Sequence, residues 1–299
     1  MTASRALAWG ALAVTISIWA GFLVMTRAAT GIALGPVEVG LMRFGIPALL
    51  FAPLLWRKGL LPDGANLTDM VLIALGGGFL FVWLLTTGLR FAPVADSGVF
   101  GPSLLPVFVA LLSALFLQER IDGLRRTGFV IILAGALLVG GWQAVAGAEP
   151  GAWRGHLLFI GASFTWAVYL VRFRFSGMGA KEAAAMIAFW STLAFLLAAL
   201  VTGTRFAEVP VPTLLFQFAF HGLLSGFLAA ITIGYAVRHL GASTAAAFAA
   251  LVPVLAALGG WVFLGEPVSA LKALGIVAVS VGVALAAGAR LPRQRVLQD

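Results

Sequence analysis

Runs of about twenty apolar residues recur from one end of this 299-residue chain to the other. An α-helix needs about 20 such residues to cross the ~30 Å hydrocarbon core of a bilayer. Backbone N–H and C=O groups find no water in that core, so a spanning segment must be a helix or part of a closed barrel. The runs do not alternate as barrel strands do. The chain is therefore predicted to be an all-α integral membrane protein, with the lipid bilayer as its surroundings.

The apolar runs predict ten transmembrane helices joined by short loops. Their predicted ranges are 6–26, 36–56, 69–89, 95–117, 124–141, 153–172, 180–201, 213–236, 243–264 and 270–289. The longest connections, 142–152 and 202–212, are too short to form a soluble domain. Any substrate site must therefore be built from the helices.

Composition and charge agree with a membrane location. Hydrophobic residues make up 62% of the chain and charged residues 10%, against roughly half and a quarter in soluble domains. Most Lys and Arg residues fall on the side that carries both termini, which predicts cytoplasmic termini in a bacterial-type inner membrane. The net charge of +8 is thus a topology signal, and no nucleic-acid partner is expected. The chain has no cysteine, and no cofactor or metal is expected.

The two halves of the sequence repeat at one offset, so that Trp19 corresponds to Trp166, 147 positions later. Further pairs at this offset are Pro106/Pro253, Glu119/Glu266, Gly128/Gly275 and Gly135/Gly282. The chain is therefore interpreted as two five-helix units, 1–147 and 148–299. Five is an odd number, so the second unit starts on the opposite side of the membrane and the repeats are inverted. Inverted repeats are common in secondary transporters, with the substrate near the midplane.

Two sequence segments carry a resemblance to a known family. Helix four ends in PVFVALLSALFLQERI and helix nine in PVLAALGGWVFLGEPV, and a glycine-spaced helix follows each. Over essentially its whole length the chain resembles the EamA type of the drug/metabolite transporter superfamily. The resemblance implies a ten-helix carrier, in a type whose members include exporters of amino acids and other metabolites. In overall texture the chain is most similar to bacterial exporters of aromatic amino acids.

Aromatic and hydroxyl side chains share helix faces near the middle of the membrane. Trp19 lies about 20 Å along helix one, and Trp166 is equally deep in helix six from the other side. The predicted substrate-binding residues are Thr15, Trp19 and Phe22 in helix one, Arg43 in helix two, Phe79, Trp83 and Thr86 in helix three, Ser163, Trp166 and Tyr169 in helix six, and His221 and Ser225 in helix eight. The alternative is that these side chains pack between helices and the hydroxyls bond to their own turns.

Charged and helix-breaking residues inside the spans are further candidates, because charges in a membrane are expensive. Arg43 is expected to meet a substrate carboxylate, with a structural bond between helices as the alternative. Glu38 is a candidate for binding a proton or an ammonium group, and the alternative is that it lies close enough to the outer surface to contact water. Asp96 is expected to cap the start of helix four. Pro106 and Pro253 are expected to bend helices four and nine, as hinges or as static kinks.

Paired positions near helix ends have simpler interpretations. Glu119 and Glu266 follow helices four and nine and are predicted to fix turns. Arg27 and Arg174 are predicted to anchor helix ends at opposite membrane faces. The glycine pairs in helices five and ten are predicted to allow close helix packing.

The predicted function is a secondary transporter that exports small metabolites by alternating access around a central cavity. Aromatic and neutral amino acids are the leading substrates, because the predicted cavity is aromatic, hydroxylated and poor in fixed charge. The alternatives are export or import of another metabolite or drug-like compound, a channel, and an intramembrane enzyme. A channel would be expected to show a charged ring or a filter loop, and an enzyme paired carboxylates at depth or a compact metal triad.

Overall fold

The computed structural model describes residues 3–60, 66–119, 121–146 and 150–288, and within these ranges the chain is helical, with no strand. The helices are α1 (Ala3–Gly31), α2 (Pro36–Lys58), α3 (Leu67–Gly88), α4 (Val94–Leu117), α5 (Gly123–Ala146), α6 (Ala152–Phe175), α7 (Ala180–Thr202), α8 (Val211–Leu240), α9 in two segments (Ala242–Ala249 and Val252–Leu264) and α10 (Ala270–Ala286). The predicted all-α membrane architecture is confirmed.

Nine of the described helices are long and apolar enough to cross a bilayer, and α10 is a shorter apolar helix of 17 residues. At 1.5 Å per residue α10 is about 25 Å long. The observed helices agree with the predicted ranges to within a few residues. The predicted end of the tenth span, residue 289, and the predicted unit boundary at 147/148 lie outside the described residues.

The outer surface of the bundle is apolar. Trp56, Val201 and Leu200 are 93%, 87% and 83% exposed. In water such side chains would favour aggregation, whereas in a bilayer they contact lipid tails that are equally apolar. The exposed face of this molecule is therefore a lipid-facing surface.

Helices α4 and α9 are interrupted near their midpoints, at residues 101–104 and 250–251. Pro106 and Pro253 lie in the first turn of the helical segment that follows each interruption. A proline there costs no hydrogen bond, because the first N–H groups of a helix have no partner within the helix. Each helix is interrupted just before its proline, and the role of the two prolines as hinges or static kinks stays a prediction.

Helices α3 and α8 each contain a π-helical stretch, Leu75–Phe79 and Ala219–Leu228. The i→i+5 hydrogen bonds of such a stretch widen the turn and shift the faces on which later side chains lie. In α8 the stretch brings Gly226 against the backbone carbonyl of Arg43, where a Cβ atom would collide. Glycine therefore allows α2 and α8 to approach closely beside Arg43.

The helices pack in a regular set of pairs. Helix α5 packs along α10 and α2 along α7, whereas α1 contacts α8 and α9 and α6 contacts α3 and α4. Between α5 and α10, a Cβ atom at Gly128 would stand 2.7 Å from the carbonyl oxygen of Gly282, and one at Gly135 would stand 2.8 Å from that of Gly275. The predicted close packing at these glycines is confirmed.

Candidate substrate-binding cavity

A cavity of about 430 Å³ lies between the helices and is called the central cavity below. Its volume is in the range of ordinary small-molecule sites. Helices α1, α2, α6 and α8 contribute all of the predicted residues that line it, and α3, α4, α7 and α9 complete the wall. The predicted residues that line it are Trp19, Phe22, Arg43, Ser163, Trp166, Tyr169 and Ser225.

The two tryptophans that correspond across the sequence offset face this one cavity. Trp19 comes from α1 and Trp166 from α6. The Trp166 ring packs edge to face on Phe81, with centroids 4.1 Å apart, and on Tyr169 at 6.2 Å. Edge-to-face contacts between aromatic rings are favourable and fix their orientation. The α3 and α6 side of the cavity is therefore a rigid aromatic wall.

Arg43 supplies the charge of the central cavity. Its side chain is buried, donates a hydrogen bond to the hydroxyl of Ser225, and places its guanidinium carbon 4.0 Å from the ring centroid of Phe22 and 5.9 Å from that of Phe44. A guanidinium over an aromatic face is attracted by the ring quadrupole. Arg43 thus makes the bond between helices that was the alternative to substrate binding, and it also lines the cavity.

The structure places two predicted residues of α3, Phe79 and Trp83, on α7 and away from the central cavity. Their ring centroids lie 4.7 Å and 6.3 Å from that of Phe195. Phe79 and Trp83 share one helix face, as their spacing predicted, but that face packs on α7. The cavity face of α3 is formed by Gly77, Phe81 and Leu85, which are four residues apart. The spacing along one apolar helix tells which side chains share a face but not which face meets the cavity.

Three polar predictions also lie outside the cavity lining. The hydroxyl oxygens of Thr15 and Thr232 are 2.7 Å apart and join α1 to α8. His221 lies behind Phe22, with ring centroids 5.6 Å apart. Both His221 and Thr86 are fully buried, and their side-chain nitrogen and oxygen atoms have no hydrogen-bond partner among the described residues.

A network closes one end of the bundle. The Arg27 Nε atom donates to Glu266 Oε1 at 2.8 Å, and the Val94 backbone N–H donates to Glu266 Oε2 at 2.8 Å. A second Arg27 nitrogen donates to the carbonyl oxygen of Leu89. Glu266 therefore does more than fix a turn, because it holds α1, α4 and α9 together.

The residues at the corresponding positions form a second ion pair. Arg174 Nη1 and Glu119 Oε1 are 2.8 Å apart, and these side chains are 60% and 42% exposed. Those of Arg27 and Glu266 are 31% and 15% exposed. Exposed pairs are screened by water and contribute little. The Arg27–Glu266 end is therefore held more firmly than the Arg174–Glu119 end.

Asp96 does not cap α4, and that prediction was wrong. The N-cap position of the helix is Pro93, and no side chain caps it. Asp96 is fully buried, with Oδ2 2.8 Å from His156 Nε2 and Oδ1 3.0 Å from Lys272 Nζ. A buried carboxylate needs such partners, because desolvation of an isolated charge is costly. Asp96 joins the beginnings of α4, α6 and α10.

Glu38 is buried, which corrects the expectation that it contacts water. Only 4% of it is exposed, and its carboxylate accepts hydrogen bonds from the backbone N–H groups of Gly35, at 2.7 Å, and Arg205, at 2.8 Å. It therefore fixes the start of α2 against the α7–α8 connection. In that connection a hydrogen bond from the Arg205 side chain lowers the pKa of Glu208.

The comparisons with known proteins agree with this architecture. A model of the EamA-like transporter family matches residues 5–141 and again residues 153–288. A "Probable terminal-alkyne amino-acid exporter" of Streptantibioticus cattleyicolor is 28% identical over 298 residues, covering 93% of this chain and 96% of that protein. The "Uncharacterized transporter YoaV" of Bacillus subtilis is 26% identical over 232 residues, covering 76% of this chain and 78% of its own.

A solved crystal structure has the same fold. It superimposes with a TM-score of 0.60 at 23% identity, covering 97% of this chain and 100% of the other. The family match spans both halves of the chain, and the described helices are those of a multi-pass membrane protein. The chain therefore belongs to the EamA-like transporter family and is a membrane transporter.

Proposed function

We propose that residues 1–147 and 148–299 are inverted repeats of a ten-helix carrier, with α10 as the tenth crossing. The helix contacts support this proposal, because equivalent helices of the two units make equivalent contacts. The contact of α1 with α8 corresponds to that of α6 with α3, and the contact of α1 with α9 corresponds to that of α6 with α4. The π-helical stretches of α3 and α8 and the interruptions of α4 and α9 also occur in corresponding helices. Each of these features of one unit thus has a counterpart in the other.

The two ion pairs support the same proposal. Arg27 and Arg174 differ by the repeat offset, as do Glu119 and Glu266, and each Arg pairs with the Glu of the other unit. Each Arg lies near the end of its own helix, and α1 and α6 run in opposite directions if every helix crosses the membrane. The two pairs then close opposite faces of the bundle, as the gates of an alternating-access carrier would.

With both termini in the cytoplasm, the Arg174–Glu119 end faces the cytoplasm. The central cavity extends toward that end, because its lining includes Ala184 near the start of α7 and Ile233 in the later part of α8. The more exposed ion pair lies there. We infer that the carrier opens more readily to the cytoplasm and loads its substrate there for export across the inner membrane, with Pro106 and Pro253 beside the hinges.

The substrate is proposed to be a small metabolite with a carboxylate and an apolar side chain, with aromatic and neutral amino acids the leading class. The observation that carries this proposal is the combination of one buried cation, Arg43, with the aromatic wall of Trp166 and Phe81 in one cavity. Guanidinium groups bind carboxylates with paired hydrogen bonds, and aromatic walls favour rings. The name of the Streptantibioticus relative, "Probable terminal-alkyne amino-acid exporter", agrees with it.

Counterflow in proteoliposomes tests the proposal. Vesicles loaded with unlabelled Trp, Phe or Thr should accumulate the same labelled amino acid, and accumulation should depend on the internal substrate. A channel would give no such stimulation. Transport of none of the three would reject the amino-acid assignment and leave the alternative, another metabolite or drug-like compound of the same family.

Variants test whether the central cavity is the site. Trp19→Ala and Trp166→Ala should each lower counterflow about tenfold or more, because each removes a large aromatic surface from the wall. Trp56→Ala is the matched control, because that ring is 93% exposed on the outer surface and should leave transport unchanged. Normal transport by both cavity variants would exclude this cavity as the site.

A further inference from the structure

The central cavity carries a fixed positive charge with no negative counterpart. Arg43 is the one Arg or Lys in its lining, and no Asp or Glu of the described residues lines it. Among the described residues, the Arg43 guanidinium has one hydrogen-bond partner, the hydroxyl of Ser225. A guanidinium presents several donors in a planar fork. Buried charges are normally paired. The remaining donors therefore call for an anion that the protein itself does not supply.

A carboxylate satisfies this requirement, and an amino acid satisfies it only in part. The carboxylate of a ligand neutralises Arg43, and its oxygens accept the free N–H groups. The ammonium group of the same amino acid is held two bonds from the carboxylate carbon, so it enters the cavity close to the guanidinium. Like charges repel strongly in a partly desolvated site, and no carboxylate in the described lining offsets that repulsion.

The aromatic side chains do not replace the missing carboxylate. One face of the Phe22 ring is already occupied by the Arg43 guanidinium, 4.0 Å from the ring centroid. Trp166 has Phe81 and Tyr169 packed against it. A cation–π contact is also weaker than the hydration that a buried ammonium group loses.

A neutral polar group has a place in the cavity. Ser163 lines it, and its hydroxyl oxygen is buried with no hydrogen-bond partner among the described residues. A hydroxyl both donates and accepts. It therefore suits a keto, hydroxyl or amide group near the carboxylate of the ligand.

We propose that the central cavity is selective for monocarboxylates with an apolar body and no charged nitrogen, such as 2-oxo, 2-hydroxy and N-acyl acids, which it binds more tightly than the corresponding amino acids. This inference rests on the proposed carboxylate contact of Arg43. It deepens the proposed function, because it names the charge state of the substrate and ranks these acids ahead of the amino acids as the leading class.

Binding to the purified protein in lipid nanodiscs tests the inference with matched ligands. The aromatic series shares one ring and a two-carbon chain. L-Phe carries both charges, 3-phenylpropionate carries the carboxylate alone, and phenethylamine carries the ammonium alone. L-Leu, 4-methylpentanoate and 3-methylbutylamine form the aliphatic series. Calorimetric titration at neutral pH gives each Kd, and a binding measurement avoids the diffusion of weak acids through vesicle membranes.

In at least one series the carboxylate alone should bind about tenfold or more tightly than the amino acid, and the amine should bind weakest. Arg43→Gln should abolish the preference for the carboxylate, and Arg43→Lys should retain part of it, because the charge remains without the planar fork. Arg154→Gln is the matched control, because Arg154 lies outside the cavity lining and its replacement should leave every Kd unchanged. The comparison of ligands on the unmodified protein stands even if an Arg43 variant fails to fold.

The outcomes separate the inference from the proposed function. Equal or tighter binding of the amino acids in both series overturns the inference and leaves the amino-acid carrier in place. Tight binding of the amines overturns the inference and the carboxylate role of Arg43 together. Binding of none of the six ligands overturns both the inference and the proposed substrate class.

Discussion

Replacing Glu266 by Gln removes the charge that holds α1, α4 and α9 together at one end of the bundle. The Glu266 carboxylate accepts two hydrogen bonds of 2.8 Å, from Arg27 and from the Val94 N–H. Hydrogen bonds to charged groups contribute about 1.5–3 kcal/mol, and the side chains of the pair are 31% and 15% exposed. We therefore expect closure at this end to lose about 2 kcal/mol, roughly a thirtyfold shift in the ratio of open to closed forms.

Glu119→Gln is the matched variant at the other end. The Arg174–Glu119 pair has the same 2.8 Å distance, but the two side chains are 60% and 42% exposed. Pairs this exposed contribute about 0.2–1 kcal/mol, so the corresponding shift should stay under about fivefold.

The chain contains no cysteine, so one introduced thiol reports cavity access. Ala184→Cys places that thiol in the cavity lining, and a membrane-impermeant maleimide is applied to vesicles of each orientation. Glu266→Gln should increase labelling from the Arg27–Glu266 face far more than Glu119→Gln changes labelling from the opposite face. Labelling of permeabilised vesicles normalises for total reactivity. Equal changes in labelling for the two variants, or a larger change for Glu119→Gln, would refute the conclusion that the Arg27–Glu266 end is held more firmly than the Arg174–Glu119 end.

Three further variants test the packing. Gly226→Ala should raise the Kd of the ligands and lower the free energy of unfolding by about 1–3 kcal/mol, because its Cβ collides with the Arg43 carbonyl. Gly10→Ala is the control, because a Cβ there has nothing within 4 Å. It should change neither the Kd by calorimetry nor the stability by thermal melting. Asp96→Asn should lower the free energy of unfolding by about 3–5 kcal/mol. Asp122→Asn is the matched variant, because Asp122 lies 3.9 Å from Arg125 and its side chain is 67% exposed, so it should cost under about 1 kcal/mol. Equal shifts in melting temperature would contradict the buried cluster around Asp96. Ala188→Trp should fill the cavity and stop counterflow while the protein remains folded and monodisperse; undiminished counterflow would exclude the cavity as the path.

Much of the fold was predictable because membrane insertion imposes a strong local rule. A span needs a long apolar run, and that run is visible in the sequence. The positions of Trp19 and Trp166 were also predictable, since a repeat offset and a helical rise set their depth. Arg43 stood out for a related reason, because a charge inside an apolar run needs a partner.

The details of the cavity depended on tertiary structure. In α3 the spacing predicted that Phe79 and Trp83 share a face, and they do, but that face packs on Phe195 while Phe81 lies on the face that lines the cavity. Both faces of α3 are aromatic and apolar, so the sequence carried no signal for which of them meets the cavity.

The sequence by itself determined that this chain is a repeated bundle of membrane helices with aromatic residues and one arginine at depth, because each of these features is local or repeats at a fixed offset. Only the tertiary structure decided which charges meet. Asp96 pairs with His156 and Lys272, and Arg27 with Glu266, across helices far apart in the chain. Helix packing brings such partners together, and one sequence carries no local trace of that contact.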